Sequence, residues 1–347
     1  VTGDVVVTGP TIWMLRPVEE TSGGRVRFHV SGGPFVTGID AAKDAAAATF
    51  ELGIDDLDGA SFTVFGPVRV EKIPVGPSSI DVGLLPGARE LDAAAVTRWV
   101  GADARAVADY YGGYPVPRLL VLVMATTQTP TRGVTFGDGG PALLVRIGKA
   151  ITEETLVDDW VVTHEMLHVA FPSLPREQAW LCEGLASYIE PLIRARAGMI
   201  DDVRVWRDLL EGLPQANPAA GDEGLNKTHT WERTYWGGAL FCFVADVTIR
   251  ERTKNARSLD DVLRTIRGKG GTVRAHWTID AVLDEADVAT GTRVMHELYD
   301  QLARAPGKID LPALYARLGV SLSGKVVSFD DKAELAAIRR SMTARKQ

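Results

Sequence analysis

Two predicted helices joined at a proline-containing junction constrain the fold of this 347-residue chain more than any other feature. Apolar residues recur at helical spacing over residues 152–171 and again over 175–189, and Pro172 and Pro175 mark the junction. Proline cannot continue a helix from within, because it lacks an amide hydrogen and its ring clashes with the preceding turn. The chain must turn at this point, and a short turn makes the two helices antiparallel neighbours.

The first helix contains the sequence Thr163-His164-Glu165-Met166-Leu167-His168. Residues four apart lie on one helix face, so His164 and His168 project in the same direction. That spacing suits two ligands of one tetrahedral metal ion. Glu165 is turned about 100° round the helix and can reach a water molecule on the ion without binding the ion. The pattern predicts a zinc site in which Glu165 is the general base.

A simpler interpretation makes His164 and His168 core histidines that are satisfied by hydrogen bonds. The chain contains six histidines. At average glutamate usage, the five-residue pattern arises by chance in about one such sequence in a hundred. A third ligand separates the two interpretations, because catalytic zinc usually takes three protein ligands and one water molecule.

Glu183, in the second helix, is the candidate third ligand. It lies in an otherwise apolar stretch, where burying a carboxylate without a partner is unfavourable. Glu177 and Glu190, towards the ends of the same helix, are the fallback ligands. The metzincin pattern is excluded, because the positions that it fills with Gly and His hold Phe171 and Leu174.

The remaining sequence predicts a β-rich N-terminal part and a mainly helical C-terminal part. Strands are predicted over 4–8, 25–30, 61–65, 68–73, 118–125, 141–147 and 325–329. Residues 41–52 are expected to form a short helix or a loop, 75–87 a linker, and 126–140 a Gly-rich connection. Further helices are predicted over 91–111, 231–253, 258–268, 279–286 and 290–305.

Composition excludes several classes of function. The formal charge of −7 and the pI near 5.5 argue against a nucleic-acid-binding surface, which needs a basic stripe. The sequence has no run of eighteen apolar residues, so no transmembrane segment is expected. It also lacks a Gly-x-Ser-x-Gly elbow, a Walker loop and a CxxC pair.

The histidine motif followed by Trp180-x-x-Glu183-Gly184-x-x-x-Tyr188 resembles the gluzincins, and most closely the glycyl aminopeptidase family. That family is distantly related to aminopeptidase N and thermolysin. The resemblance extends to Tyr110-Tyr111-Gly112-Gly113-Tyr114-Pro115 and to Tyr235-Trp236-Gly237-Gly238-Ala239-Leu240. It covers roughly residues 95–320.

The resemblance implies an α+β fold with three domains. These are an N-terminal antiparallel β-domain over residues 1–85, a thermolysin-like zinc catalytic domain over 86–212, and a C-terminal helical domain over 213–347. It also implies one zinc ion per chain, a peptide or protein substrate, and metal-assisted peptide hydrolysis. Oligomeric state is left open.

The resemblance also assigns a role to Tyr235. In these families a tyrosine two residues before a Lys-Gly pair donates a hydrogen bond to the developing oxyanion. This chain keeps the tyrosine but has Gly237 at the lysine position. Two alternatives stay open: Tyr235 is an aromatic core residue, or His229 is the donor.

Substrate binding is expected near Asp138, Gly139, Ala142, Leu143 and Leu144. Relatives of aminopeptidase N bind the substrate's α-ammonium through a glutamate in a Gly-x-Met-Glu-Asn motif. Gly139 occupies the position of that glutamate, and Asp138 is one residue out of place. We therefore expect weak or absent aminopeptidase activity, with extended peptides pairing along the strand 142–147.

Departures from the family pattern motivate rival hypotheses. Gly237 replaces the lysine, and Ala186 stands where relatives often carry a small hydroxyl residue. The chain could therefore be a peptide-binding protein that has kept the metal site and lost turnover, or a scaffold without metal. Because the first residue is Val1 and not Met, we expect an exported protein from which a targeting segment has been removed.

The two cysteines, Cys182 and Cys242, have two interpretations. One is a pair of buried free thiols. The other is a disulfide that ties the Glu183 helix to the helix after Tyr235.

Overall fold

The computed structural model describes residues 4–15, 23–43, 46–85, 87, 92–127, 130–148 and 151–345. The chain forms two compact units. The first comprises Val1–Pro172 and Thr272–Ala275, and the second comprises Ser173–Gly271 and His276–Gln347. Both helices and sheets are present, which confirms the expected mixture. The three-domain division stays a prediction.

The first unit begins with short elements that form two small antiparallel sheets. They are strand β1 (Val6–Thr8), helix α1 (Pro10–Trp13) and strands β2 (Arg25–His29), β3 (Phe35–Thr37), β4 (Thr49–Gly53) and β5 (Thr63–Phe65). Strand β5 pairs with β1 on one side and β3 on the other, while β2 pairs with β4. The described parts of the stretch 41–52, residues 41–43 and 46–52, form a loop that leads into β4 and contain no helix.

A five-stranded mixed sheet is the centre of the first unit. Its strands are β6 (Arg69–Val75), β7 (Ser78–Leu84), β8 (Arg118–Thr126), β9 (Arg132–Phe136) and β10 (Ala142–Gly148), in the order β6-β7-β8-β10-β9. Strands β7, β8 and β10 are parallel, while β6 and β9 pair antiparallel at the two edges. Parallel strands in the middle of a sheet are buried on both faces, which explains the continuous apolar sequence of β8.

The predicted linker over residues 75–87 is wrong. Gly76 has a positive φ of 58° in the turn between β6 and β7, and the residues that follow form a nearly fully buried strand. Gly83 lets the neighbouring strand approach, since a Cβ there would lie 3.0 Å from Leu122. The glycine and proline content that suggested a linker instead makes a tight hairpin.

Three further helices belong to the first unit. Helix α2 (Ala93–Tyr111) connects β7 to β8, starts at an Asp92 cap and ends where Gly112 adopts a left-handed φ of 71°. The single helix predicted over 152–171 is two helices, α3 (Glu153–Asp158) and α4 (Val161–Val169). The two helices are separated by the extended backbone of Asp159, and the Asp159 side chain accepts a hydrogen bond from the amide of Val161, the first residue of α4.

The second unit is mainly helical, as predicted. Its helices are α5 (Ala179–Ala197), α6 (Asp202–Gly212), α7 (Gly238–Arg252), α8 (Leu259–Gly268), α9 (Ile279–Thr290), α10 (Val294–Leu298), α11 (Leu311–Leu318) and α12 (Ala336–Thr343). Strands β11 (Val320–Ser323) and β12 (Val326–Phe329) form a hairpin. Helix α5 continues eight residues beyond the predicted end at Ile189 and contains Pro191. Within the described residues, no helix is long and apolar enough to cross a membrane.

Helices α5 and α7 approach each other closely because glycines face each other at their contact. A Cβ atom at Gly184 would lie 2.0 Å from the carbonyl carbon of Gly238, and one at Gly238 would lie 2.0 Å from the carbonyl oxygen of Trp180. Backbone atoms cannot move aside as a flexible side chain can, so both positions require glycine. This contact sets the spacing of the helix that carries Glu183 from its neighbour.

A buried carboxylate links three helices of the second unit. Asp246 accepts hydrogen bonds from the Tyr188 hydroxyl at 2.9 Å, from Arg250 at 3.0 Å and from the Leu259 amide at 2.8 Å. The three donors belong to α5, α7 and the start of α8. A buried charge that is paired and hydrogen-bonded in this way is tolerated, whereas removing one partner is strongly destabilising.

Candidate metal centre

Helix α4 carries the histidine motif, and the helix itself is buried. Val162, Met166 and Leu167 are fully buried and anchor the helix. His164 is 3% exposed, and the ring centroids of His164 and His168 are 4.9 Å apart. A rigid helix therefore holds the two imidazoles side by side, as the spacing of four residues predicts.

The structure brings Glu183 together with both histidines. One ligand atom from each of His164, His168 and Glu183 lies within 4.8 Å of the other two. Within the part of the chain that the structure describes, no other group of three or more His, Cys, Asp or Glu side chains meets this condition. All three side chains come from one continuous stretch of sequence that contains the junction between α4 and α5.

This donor set fits zinc. Two imidazole nitrogens and one carboxylate oxygen form the His₂Glu set of known catalytic zinc sites, which leaves one tetrahedral position for water. Zinc binds these atoms at about 2.0–2.2 Å, so ligand atoms around one ion lie about 3.4 Å apart. Atoms already within 4.8 Å of one another reach that spacing by small side-chain rotations.

The two fallback ligands are placed elsewhere. Glu177 is exposed and accepts a hydrogen bond from Gln178 at 2.7 Å. Glu190 is buried in an ion pair with Arg194 at 3.0 Å. Burial raises the pKa of Glu190 to about 7, and the neighbouring Arg194 guanidinium opposes that rise. Neither side chain belongs to the group formed with the histidines.

Glu165 points its carboxylate at strand β9. The side chain is 8% exposed, and the Thr135 hydroxyl donates a hydrogen bond to Glu165 Oε2 at 2.6 Å. Gly133 lies under the same side chain, since a Cβ there would be 2.4 Å from Glu165 Cγ. The strand therefore accommodates this carboxylate through one small and one hydroxyl-bearing residue, and sequence analysis identified neither.

Strand β9 was not predicted, although one feature of its sequence indicates a strand. In Arg132-Gly133-Val134-Thr135-Phe136 the larger apolar residues alternate with Gly133 and Thr135. Val134 and Phe136 pack against the sheet core, as such an alternation predicts. Glycines on both sides made the stretch resemble a loop and obscured the pattern.

Tyr235 lies in a π-helical turn, residues 233–237, that packs against helix α5. Its ring stacks on Trp231, with centroids 5.3 Å apart and planes 25° from parallel. Tyr235 is half-buried, whereas Trp231 is 58% exposed. Tyr235 is therefore not enclosed as a core aromatic would be. His229, the alternative donor, is exposed.

Buried contacts hold the π-helical turn in place. Arg233 forms an ion pair with Asp222 at 2.7 Å, and both side chains are almost fully buried. Trp236 fills the space beside Gly212, where a Cβ would lie 2.0 Å from the indole ring. A buried ion pair is weak evidence of stability, but breaking it by removing one partner is unfavourable by about 3–5 kcal/mol. The turn that carries Tyr235 is therefore fixed from both sides.

The structure corrects the predicted peptide-binding edge. Ala142, Leu143 and Leu144 are buried, and β10 pairs with β8 on one side and β9 on the other. A strand with two partners has no free hydrogen-bonding edge, so an extended peptide cannot add to it. Within the described residues β9 pairs only with β10, and β9 is the edge strand on this side of the sheet.

Asp138 and Gly139 lie in the turn between β9 and β10. Asp138 is half-buried and forms an isolated bridge with Ala60. A Cβ at Gly59 would lie 1.8 Å from the Asp138 carboxylate, so this side chain packs on the loop around residues 59–60. Gly139 has a φ of 71° and accepts a backbone hydrogen bond from Asp40 at 2.8 Å. Both residues have local structural contacts.

Both cysteines are free thiols in the structure. Burial, and to a smaller extent the Glu183 carboxylate, raises the pKa of the Cys182 thiol to about 12. Burial also raises the pKa of Cys242 well above its usual range. Because the thiolate is the reactive form, neither group is activated for exchange or oxidation.

The fold is similar to that of known metallopeptidases. An aminopeptidase N family protein from Idiomarina loihiensis matches with a TM-score of 0.60 and 16% identity, over 83% of this chain and 55% of that one. An M1 zinc metallopeptidase from Deinococcus radiodurans matches with a TM-score of 0.50 and 18% identity, over 83% and 62% of the two chains. A mutant from the same organism bound to a Tyr-Ser-Ala substrate has a TM-score of 0.50 and 16% identity, over 82% and 63%.

The chain shares the fold of M1 zinc metallopeptidases. At these identities the similarity concerns the fold alone, and the chain spans only 55–63% of the length of these neighbours. No protein-family model matches the sequence, and no curated protein matches it. Any activity therefore depends on the side chains that this chain places at the metal centre.

The metal centre makes a direct prediction about zinc binding. The purified chain is expected to bind about one zinc ion. His164→Ala, His168→Ala and Glu183→Ala should each weaken zinc affinity more than about 100-fold. Losing a residue that only hydrogen-bonds a ligand weakens affinity by up to about that factor, and losing the ligand itself should weaken it more. Plasma emission analysis of metal content and calorimetric titration measure both quantities. The exposed Glu177→Ala is the matched control and should bind zinc normally. Full zinc affinity in Glu183→Ala would show that the third ligand lies elsewhere.

Proposed function

We propose that this chain is a zinc-dependent peptidase of the gluzincin type. The observation that carries the proposal is the convergence of His164, His168 and Glu183, next to a buried Glu165 that is not one of the three. Three protein ligands with one open position are typical of catalytic zinc, whereas structural zinc sites are closed by four ligands. The fold shared with M1 zinc metallopeptidases supports the same reading.

The ligand residues would be the two imidazoles and the Glu183 carboxylate. The chemistry that a zinc ion supplies there is Lewis acidity, which lowers the pKa of water to about 7 and polarises a carbonyl group. Helix α4 holds the two histidines and the first turns of α5 hold Glu183, and buried apolar residues anchor each helix. Preorganisation of this kind avoids rearrangement during the reaction.

Glu165 would act as the general base. It takes a proton from the attacking water and later gives that proton to the leaving amine, so that the peptide bond breaks and an acid and an amine form. The side chain follows His164 in sequence and therefore points to a different side of the helix from the ligands. Its contacts with Gly133 and Thr135 direct it towards the edge strand.

Tyr235 would donate a hydrogen bond to the oxygen that becomes negative as the carbonyl is attacked. Its half-buried position on a fixed turn beside helix α5 supports this role over that of a core aromatic. In the family a lysine stands two residues after this tyrosine, where this chain has Gly237. A Cβ at Gly237 would lie 2.6 Å from the Leu225 side chain, so a lysine here would require that side chain to move.

An extended peptide would bind along the outer edge of β9, and not along β10 as the sequence suggested. The edge of β9 is open within the described residues, and the same strand carries the residues that contact Glu165. A peptide that adds to this edge by backbone pairing therefore lies beside the general base. The peptide bound to the neighbouring Deinococcus radiodurans structure supports a peptide substrate for this chain.

Free-amine recognition would be weak, so this chain is not expected to be a strong aminopeptidase. Asp138 is the only acidic residue between Thr126 and Thr152. Its carboxylate packs on the loop around residues 59–60, where it fulfils a structural role. The specific relation to glycyl aminopeptidases is part of this proposal and rests on the sequence motifs.

A second candidate function is a metal-retaining, inactive peptide-binding protein. It is favoured by the same departures from the family pattern, Gly237 and the fully buried Ala186. Turnover distinguishes the two functions, because both require the metal centre and the peptide edge but only the peptidase requires Glu165.

Replacing the general base tests the mechanism. Glu165→Gln should retain zinc and fold normally while losing peptide hydrolysis by at least about 10²–10⁴-fold, because an amide cannot accept the proton. Turnover of a fluorogenic peptide library, with zinc content and melting temperature measured in parallel, gives the result. Glu154→Gln, an exposed glutamate of helix α3, is the matched control. Wild-type turnover in Glu165→Gln would remove the mechanism, and no turnover in the native chain would favour the binding protein.

Removing the Tyr235 hydroxyl tests the oxyanion role. Tyr235→Phe should lower kcat by about 10²–10³-fold and change KM little, because the hydrogen bond forms only in the transition state. Steady-state kinetics on the same peptide measure both constants. A changed melting temperature with unchanged kcat would instead identify Tyr235 as a structural aromatic.

Blocking the substrate's amino terminus tests the expected class of peptidase. Free and N-acetylated versions of one peptide should be cleaved at rates within about fivefold of each other, because Asp138, the acid proposed to pair with the ammonium, packs on the loop around residues 59–60. Mass spectrometry of the products gives the rates and the cleavage position. A strong preference for the free amine that disappears in Asp138→Asn would contradict this expectation.

A further inference from the structure

Strand β9 contacts Glu165 with two residues that lie on the same face. Gly133 and Thr135 are two positions apart, and successive side chains of a strand alternate between faces. Both contact the same carboxylate side chain, one by leaving space and one by a hydrogen bond. A one-residue shift would instead place Val134 and Phe136 there, which pack in the sheet core.

The Thr135 hydroxyl has two acceptors on the same residue. It lies 2.6 Å from Glu165 Oε2 and 3.0 Å from the carbonyl oxygen of Glu165. The hydroxyl has a single hydrogen and can also accept a hydrogen bond. That hydrogen can be donated to either oxygen, and both oxygens belong to Glu165, so the hydroxyl lies against the carboxylate and the backbone of the same residue.

We propose that Thr135 is a positioning residue that holds the Glu165 carboxylate through the reaction. The proposal rests on the function proposed above, because the position of the Glu165 carboxylate affects turnover only if Glu165 is the general base. A glutamate side chain has three rotatable bonds and loses considerable freedom when it is fixed. Thr135 restricts that freedom from an edge strand that also borders the peptide, and Gly133 leaves the space that the carboxylate needs.

A purely structural role for Thr135 makes a different prediction. β-Branched residues favour strands, so Thr135 could stabilise β9 by shape alone. Valine keeps that shape and removes the hydroxyl, whereas serine keeps the hydroxyl and removes the methyl group. Comparing Thr135→Val with Thr135→Ser therefore separates hydrogen bonding from packing. Thr97→Val is the control, because the Thr97 hydroxyl is also half-buried and donates to a carbonyl oxygen, that of Ala93, at 2.7 Å.

The kinetic test uses the zinc-loaded full chain and one peptide substrate. Thr135→Val should lower kcat by about tenfold or more with KM within about twofold, because a misplaced base slows the chemical step and leaves binding intact. Thr135→Ser should keep kcat within about twofold of the native value, a smaller change than the loss of one hydrogen bond produces. Thr97→Val should behave as the native chain. Zinc content should be the same in all four proteins.

A binding measurement tests Thr135 without turnover. Acetohydroxamate chelates zinc and carries an acidic proton that a neighbouring carboxylate can accept, so its affinity reports the position of Glu165. Calorimetry should show affinity lowered about 2–13-fold in Thr135→Val, the range for one net hydrogen bond. Thr135→Ser should bind as the native chain does, and Glu165→Gln should bind more weakly than Thr135→Val.

The two measurements distinguish failure of this inference from failure of the proposed function. Native-like kcat and hydroxamate affinity in Thr135→Val would overturn the positioning role, and so would equal losses in Thr135→Ser and Thr135→Val. A chain that cleaves no peptide but shows the expected order of hydroxamate affinities would overturn the peptidase and retain the role of Thr135. If Thr135→Val does not fold, Thr135→Ala is the second hydroxyl-free variant and is judged by the same criteria.

Discussion

The position of Glu165 depends on the contact between helix α4 and the edge strand β9. A nearly buried carboxylate needs both space and a hydrogen-bond donor, and β9 supplies them at alternate positions through Gly133 and Thr135. This arrangement requires β9 to keep its register with β10, in which Thr135 pairs with Leu143. The buried strands β8 and β10 maintain that register, because their apolar side chains cannot move to the solvent face.

A second constraint acts in the helical unit, where close backbone contact replaces side-chain packing. Gly184 follows the proposed ligand Glu183, and Gly238 follows the turn that carries Tyr235. Their contact brings the turn directly against helix α5, and the ion pair between Arg233 and Asp222 holds its other side. The two glycines therefore serve the same purpose as Gly133, because each lets a functional element approach its neighbour.

The shared fold and the local chemistry support the proposed function in different ways. Similarity to M1 zinc metallopeptidases at 16–18% identity describes the backbone arrangement and leaves the reaction undetermined. The proposed hydrolysis depends on His164, His168 and Glu183 as metal ligands and on the buried Glu165 beside them, a set of residues that fits activation of water by zinc. Where this chain departs from the family pattern, as at Gly237, a larger residue would contact the Leu225 side chain.

The sequence by itself determined the local features of this protein. Spacing along one helix placed His164 and His168 on a common face, and the proline junction indicated the helix that carries Glu183. Most helices and the buried strands β8 and β10 were predicted because helical periodicity and continuous apolar runs are local patterns. Tertiary structure alone decided which strand is the open edge, and for that reason the predicted pairing along residues 142–147 was wrong. It also turned the expected linker at 75–87 into a central strand, and it revealed Gly133 and Thr135 beneath Glu165. Strand order and contact between distant residues depend on burial and hydrogen-bond pairing across the fold, and neither leaves a periodic pattern in the local sequence.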